Sequence, residues 1–539
     1  MRIPRSLALL TLLFALLAGG LAQARVVFAT NTFKVSDFKN LDKALATCDS
    51  SSPSFFCRIQ HGTVTRIPTK GVDLFFDDAG ELVAAYAKAQ KGQTYNDYPI
   101  DRRQNLIPYQ SAIPGAAVLI DGAYQAPQDA SGSWQRTSRI EFTGTFHYRE
   151  GNYDVKRVVT VTAIREHIDV AVTVTPAAGG AAAAGGKAAA SGGAASGGAA
   201  AGGTAQGGGS PTVALATPGI AGTAQPVVKI GHGSDFTLGP PAGKSYADPS
   251  YAALQNNNNN TGDAIVLRPA KGVTNVQAEF LEPDRVALTT ALASSGSTSL
   301  SAQLYTGRNE LVRYYQEGYL SLPGLFRPNI LGRLSLYIVE LLVLIHQYVG
   351  SWGVSIIVLT MLFRVLIWPL IATQTKSMFG MQKLQPKIQE LQKKYKDDRE
   401  KLTQETMKLY QEAGVNPAGG CLPILLQMPL FIILWRVFIN FEFNQGFLWL
   451  PDLGQSDPYY ILPVLYVLVM LATSYFSARG NPQTLRQSMF INLIFVFIII
   501  NFPAGVLLYY VVSMLVQVFQ YWLVSRGQPV PAVPAKRAK

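Results

Sequence analysis

Arg364 stands inside "TMLFRVLIWPL", within a strip from Trp352 to Ile371 that carries no other charge. About 20 apolar residues is the length that crosses a bilayer core of roughly 30 Å. A cation at mid-depth costs about 2.5 to 3.5 kcal/mol on insertion scales, so it either faces protein or water for a purpose or snorkels to an interface. Its chemistry would be attraction of a passing anion and not bond-making. Thr360 and Trp368 lie one turn to either side and share its helix face. Gln427 in "LLQMP" and Gln517 in "LVQVF" are polar groups in similarly apolar text. Each could line a wet groove or serve as an interhelical hydrogen bond, the ordinary glue of membrane bundles. Arg436 in "LWRVF" is a second cation in apolar surroundings, read as snorkelling.

Other chemistries find little support. The five histidines are scattered without ligand spacing, and no metal site is expected. Of three cysteines, Cys48 and Cys57 could close a short-loop disulfide, while Cys421 stands alone in "GGCLP". "GPPAGKS", Gly239 to Ser245, imitates a phosphate loop, but three residues separate its glycines where four are needed, and its prolines remove backbone donors. No cofactor is expected. The net charge of +12 over 539 residues does not gather into one long basic run, so a specific nucleic-acid sequence is not expected as a partner.

The elements that would position these residues fall into two materials. Residues 1–24 combine Arg2 and Arg5, an apolar stretch and Ala22-Gln23-Ala24, the pattern of an export signal. Cleavage fits the A-x-A site, and retention as an N-terminal anchor stays open. Residues 25–328 read as an exported β-domain. "RIEFTGTFHY" and "YDVKRVVTVTAIREHIDVAVTV" alternate apolar and polar residues about an "EGN" turn, and strand text resumes at "PTVALAT", "PVVKIGH", "DAIVLRP", "VQAEFLEPDRVALTTAL" and "SLSAQLYTG". Between them, the Gly/Ala-rich insertion 177–210 has almost nothing to bury and should be a flexible excursion that interrupts one β-domain or divides it in two. Gln255 to Asn260 should be another such loop.

Residues 329–350 are apolar but carry Arg333, Glu340 and His346, which fits an interfacial amphipathic helix. Residues 351–526 hold five expected crossings, near 352–371, 422–441, 459–476, 489–502 and 506–524. The connection 374–420 carries nine Lys or Arg, and the tail 527–539 is basic, whereas "EFNQGFLWLPDLGQSDP" has none. The positive-inside rule then puts the β-domain outside and the basic loops and C-terminus in the cytoplasm. Within 374–420, apolar residues recur at steps of three and four from Met378 to Tyr395 and again from Leu402 to Ala413, separated by "KDDRE". That spacing predicts a two-helix hairpin with a basic tip at Lys393, Lys394, Lys396 and Arg399, either a contact for partners or a solvated arm. Pro417, Gly419, Gly420, Pro423 and Pro429 permit a tight re-entry into the second crossing.

The strings "VGSWGVSIIVLTMLFRVLIWPL", "MQKLQPKIQELQKKYKDDREKLTQETMKLYQEAGVNPAGGCLPILLQMPLF", "DPYYILPVL" and "FPAGVLLYYVVSMLVQ" resemble the membrane core of the YidC/Oxa/Alb family of insertases over residues 330–526. Ahead of that core, position and strand content resemble the large exported β-supersandwich of the family's Gram-negative type, from which the Gly/Ala tract departs. The resemblance implies a multi-domain protein of the bacterial inner membrane that is not an enzyme. Its five core helices would enclose a hydrophilic groove, open to the cytoplasm and lipid and closed outside, with Arg364 at the position of the family's groove cation. It would insert, fold and assemble nascent membrane proteins, alone or with the Sec translocon, meeting ribosome and targeting factors at its cytoplasmic face and membrane lipids around it. A solute transporter using Arg364 as an anion site would show repeated halves, which these unequal spans do not. An envelope scaffold would show clustered binding residues in the β-domain, which are missing.

Overall fold

The computed structural model describes residues 30–34, 36, 62–69, 72–87, 113–177, 211–220, 225–256, 262–281, 284–326, 328–414, 422–443, 445–477 and 499–526. Cys48, Cys57, the Gly/Ala tract beyond 177, the expected crossing up to 498, and the signal and basic tail lie outside these residues. The chain divides into two compact units, Val27–Arg327 and Pro328–Lys539, the latter grouped with Met1–Val26.

The first unit is built of antiparallel strands. Alternation of inward and outward residues is clearest in β7 (Glu141–Glu150), β8 (Tyr153–Thr162) and β9 (His167–Pro176). Side chains of successive strand residues point to opposite faces, so a period of two buries one side. The expected turn at "EGN" is a two-residue hairpin connection in which Gly151 takes φ 58°, the sign that primed hairpin turns require. These strands belong to a nine-stranded sheet that also contains β11 (Val227–His232), β12 (Asp235–Leu238), β14 (Pro249–Gln255), β15 (Asp263–Pro269), β18 (Thr298–Arg308) and, at one edge, β6 (Gln128–Arg136).

A five-stranded sheet runs in the order β13 (Ser245–Ala247), β16 (Gln277–Leu281), β17 (Arg285–Ala291), β10 (Thr212–Ala216), β5 (Ala117–Ile120). Its β10, β16 and β17 lie against β14, β15 and β18, giving a sandwich with Val213, Leu215, Leu254, Leu288 and Leu304 in the core. β10 pairs with β5, which precedes the Gly/Ala tract, and with β17, which follows it. The tract therefore joins two layers of one domain, and the reading of two separate halves is set aside. A third sheet orders β1 (Asn31–Lys34), β2 (Thr63–Pro68), β3 (Val72–Phe76) and β4 (Leu82–Ala87). The phosphate-loop look-alike is the connection from β12 into β13, with no helix after it.

That third sheet is tied to β7 and β8 by a buried polar cluster. Arg157 reaches Glu81 at 3.2 Å, the Tyr148 hydroxyl at 3.0 Å and the Gly80 carbonyl at 3.3 Å. Tyr124 donates to Glu81 at 2.8 Å, and Glu150 accepts from Gln125 N–H. Burial, reinforced by the charge of Glu81, pushes the Asp77 carboxyl up to about 7, and burial pushes Glu150 up to about 8.

The unit ends in a short helix, α1 (Leu311–Glu317), and a tail packed into a tyrosine-rich core of Tyr251, Tyr305, Tyr314 and Tyr319. Arg313–Glu166 and His167–Glu317 pairs hold α1, and Leu325 O accepts from both Lys229 and Gln255.

The second unit is helical. α2 (Ile330–Val349) buries Gly332, Ser335, Ile338, Val339 and Leu342 and leaves Ile330, Leu334, Tyr337 and Tyr348 exposed along with Arg333 and Glu340. Asn329 caps its start at 2.8 Å and Gly350 ends it with φ 71°. By length and composition it passes as a span, as does Trp352–Ala372. α3 (Trp352–Lys394) is one 43-residue helix with Pro369 and Pro386 inside it, where separate elements were expected on either side of residue 372. At 1.5 Å per residue such a helix is about 65 Å long, roughly twice a hydrocarbon core, so it can cross and then project. α4 (Arg399–Glu412) follows after a short turn, capped by Asp398, and lies against α3. α5 (Leu422–Asn440), α6 (Ile461–Ser477) and α7 (Ala504–Arg526) complete the described helices.

One end of this unit is closed by the segment between α5 and α6. Asp457 accepts from Trp449 Nε1 at 3.2 Å and caps α6 through Tyr459 and Leu462 N–H. Ala504 and Gly505 at the start of α7 donate to Gln455 O and Leu453 O. Phe447 lies so close to Gly353 that a Cβ there would stand 2.1 Å from its ring. Trp352 packs against Phe441 and Phe443 beside it.

Candidate functional site

Arg364 is set by α3 into the helical bundle, half-buried, and its Nε donates to Ser513 Oγ on α7 at 2.7 Å. Among the described residues no carboxylate pairs with it. Ser513 follows Tyr509 by one helical turn and the two side chains hydrogen-bond. Tyr509 Oη in turn accepts from Gln427 Nε2 of α5 at 2.7 Å. Three helices thus converge on one polar chain, Arg364, Ser513, Tyr509 and Gln427. Tyr510, Tyr466 and Phe431 surround it with aromatic faces at centroid separations of 5.3 to 6.1 Å.

A guanidinium held by a neutral hydroxyl keeps its full charge and most of its five donors for other use. A carboxylate partner would have neutralised it. The arrangement can therefore receive an anion or a polar chain transiently, and it contains no nucleophile–base pair.

The sequence-derived candidates divide. Arg364 and Gln427 are brought into the same cluster. Thr360 is fully buried and its hydroxyl is spent on the Ile356 carbonyl of its own helix at 2.6 Å, so it faces packed protein and not open groove. Trp368 is half-buried, and Gln517 is exposed. Arg436 is half-buried and its carbonyl accepts from Asn440. Lys393, Lys394, Lys396 and Arg399 are exposed around the turn between α3 and α4, with Lys394 and Lys401 over the Tyr395 ring at 5.3 and 5.8 Å. The proposed pair Cys48 and Cys57 lies outside the described residues. Ser513 and Tyr509 were missed, although stepping back four and eight residues from Gln517 along one helix face reaches both.

Fold and site together define a class: a protein with an antiparallel β-sandwich unit followed by a bundle of apolar helices that holds an arginine-centred polar cluster. A family profile described as "60Kd inner membrane protein" matches residues 344–530. A curated relative, the membrane protein insertase YidC of Deinococcus radiodurans, is 38% identical over 281 residues, which are 51% of this chain and 64% of that protein. The chain thus spans somewhat less than two thirds of the length of that relative. A crystal structure of an active YidC insertase with its first transmembrane domain resolved aligns with 97% of this chain and 99% of its own, at TM-score 0.50 and 19% identity, a likeness of fold. Residues 344–530 thus match that family profile, and the chain is similar to YidC insertases in part of its sequence and in its fold.

Proposed function

We propose that the protein is an insertase and chaperone of the bacterial inner membrane, which inserts, folds and assembles nascent membrane proteins alone or together with the Sec translocon. Similarity to a membrane protein insertase supports that activity, and the observation that carries the mechanism is Arg364 held by Ser513 with no carboxylate partner among the described residues. In this reading five crossings surround a hydrophilic groove open to the cytoplasm and lipid. The packed segment between α5 and α6 supports its closure on the outer side. α2 lies at the outer interface, as its mixed exposed face of apolar residues, Arg333 and Glu340 favours.

Carrying a polar tail across hydrocarbon meets a desolvation barrier of several kcal/mol or more, and a wet half-channel shortens the dry path. Arg364 and the Gln427–Tyr509 pair hold the tail meanwhile. Burial of the client's apolar helix in lipid supplies the driving free energy, so no nucleotide is needed for this step. The projecting end of α3 with α4, tipped by Lys393, Lys394, Lys396 and Arg399, meets ribosome and targeting factors on the cytoplasmic side.

Cells depleted of their native insertase and supplied with this chain test the reading. Rescue of the protease-protection pattern of a short test client supports it. Failure of a stably expressed, membrane-integrated chain to rescue any client, or solute flux without insertion, contradicts it.

A further inference from the structure

Gln520, on α7, is 3% exposed, yet neither its Oε1 nor its Nε2 has a hydrogen-bond partner among the described residues. Burial of an unpaired amide opposes folding, and a leucine of similar size would fill the space without that cost. What a carboxamide adds is one strong acceptor and two donors, the complement of a peptide group. Its place on the helix gives this meaning. Seven residues turn an α-helix to within about 20° of two full turns and advance it about 10 Å, so Gln520 continues the line of Ser513, the residue that holds Arg364. On the proposed topology that line runs inward, toward the mouth through which a client would enter.

We infer that Gln520 is a client-positioning residue that pairs with the main chain of a polypeptide entering the groove. The inference rests on the proposed insertase reading and deepens it. Arg364 selects by charge, whereas a carboxamide is neutral and reads the peptide group that every client has. No partner among the described residues satisfies the amide, and arrival of a client's backbone does so. The ligand class is an extended, not yet helical, polypeptide segment.

The test uses the full-length chain in liposomes with two clients identical except for a neutral or an acidic exported tail. Parent, Gln520→Leu and Gln520→Asn are compared for insertion and for thermal melting. The expected result is that Gln520→Leu melts no lower than the parent but inserts both clients roughly threefold to tenfold less well, the worth of one hydrogen bond, and that Gln520→Asn recovers part of the loss. Undiminished insertion by Gln520→Leu, or a loss confined to the acidic tail, would overturn the inference while leaving the insertase reading intact. A lower melting point for Gln520→Leu would also overturn it, since the amide would then be an internal strut. Failure of the parent to insert either client would defeat both readings at once.

Discussion

Replacing Arg364 by alanine separates charge recognition from general insertion. The guanidinium is half-buried, 2.7 Å from one hydroxyl and without a carboxylate among the described residues, so a client carboxylate would be its first ionic partner. At 4 Å and an effective dielectric near 20, two unit charges attract by about 4 kcal/mol. Partial desolvation of both groups reduces this, and hydrogen bonds to charged groups contribute about 1.5 to 3 kcal/mol net. Taking about 2 kcal/mol, Arg364→Ala should insert a client with an acidic exported tail roughly 30-fold more slowly. A neutral-tailed client should change by less than about twofold, because the neutral interactions at Gln427 and Tyr509 persist. Arg364→Lys should fall between, keeping the charge but losing the planar fork. Time courses of protease protection in proteoliposomes give the rates. Equal slowing of both clients would show that Arg364 only supports the bundle, and unchanged rates for both would refute the electrostatic role.

Other consequences are independent of that one. Ser513→Ala removes the hydroxyl that orients Arg364 and should slow acidic-tailed clients roughly twofold to tenfold in the same assay, with neutral ones little affected. Gly353→Ala gains helix propensity but sets a Cβ 2.1 Å from the buried Phe447 ring; the clash should dominate, costing about 1 to 3 kcal/mol and lowering the melting temperature in detergent. Asp77 and Glu150 titrate near 7 and 8 in the folded β-unit, against about 4 when unfolded, so the folded state binds more protons between those limits. Their contribution is fully present below about pH 4 and is lost as pH rises toward 8, so Glu150→Gln should flatten the fall in β-unit stability between pH 5 and 8, read as amide-exchange protection of β7 and β8.

Much of this was visible in the residues themselves. β7 to β9 alternate so regularly that one register buries their apolar side, and Arg364 is conspicuous because nothing else in its strip is charged. What stayed hidden depends on long-range packing. α3 runs on past Pro369 because a proline removes one hydrogen bond without forbidding a helix that other contacts hold. Thr360 looked like a groove residue by spacing, but its hydroxyl returns to its own helix, an outcome that face periodicity cannot distinguish. Gln517 and Gln520 are both polar letters on α7, and only the packed structure reveals that the first is exposed and the second buried, with no hydrogen-bond partner among the described residues. Ser513, one turn before Gln517 on the same face, stood out only once Arg364 was seen to reach it.

The most direct test of the groove is chemical access to position 364. With Cys48, Cys57 and Cys421 replaced by serine, Arg364→Cys is exposed in sealed vesicles to a charged, membrane-impermeant thiol reagent from either side. Reaction from the side of the basic loops, slowed when a client occupies the protein, is the expected result. Modification only by a lipid-soluble reagent, or none from either face, would mean that the arginine does not look into water and would contradict the mechanism.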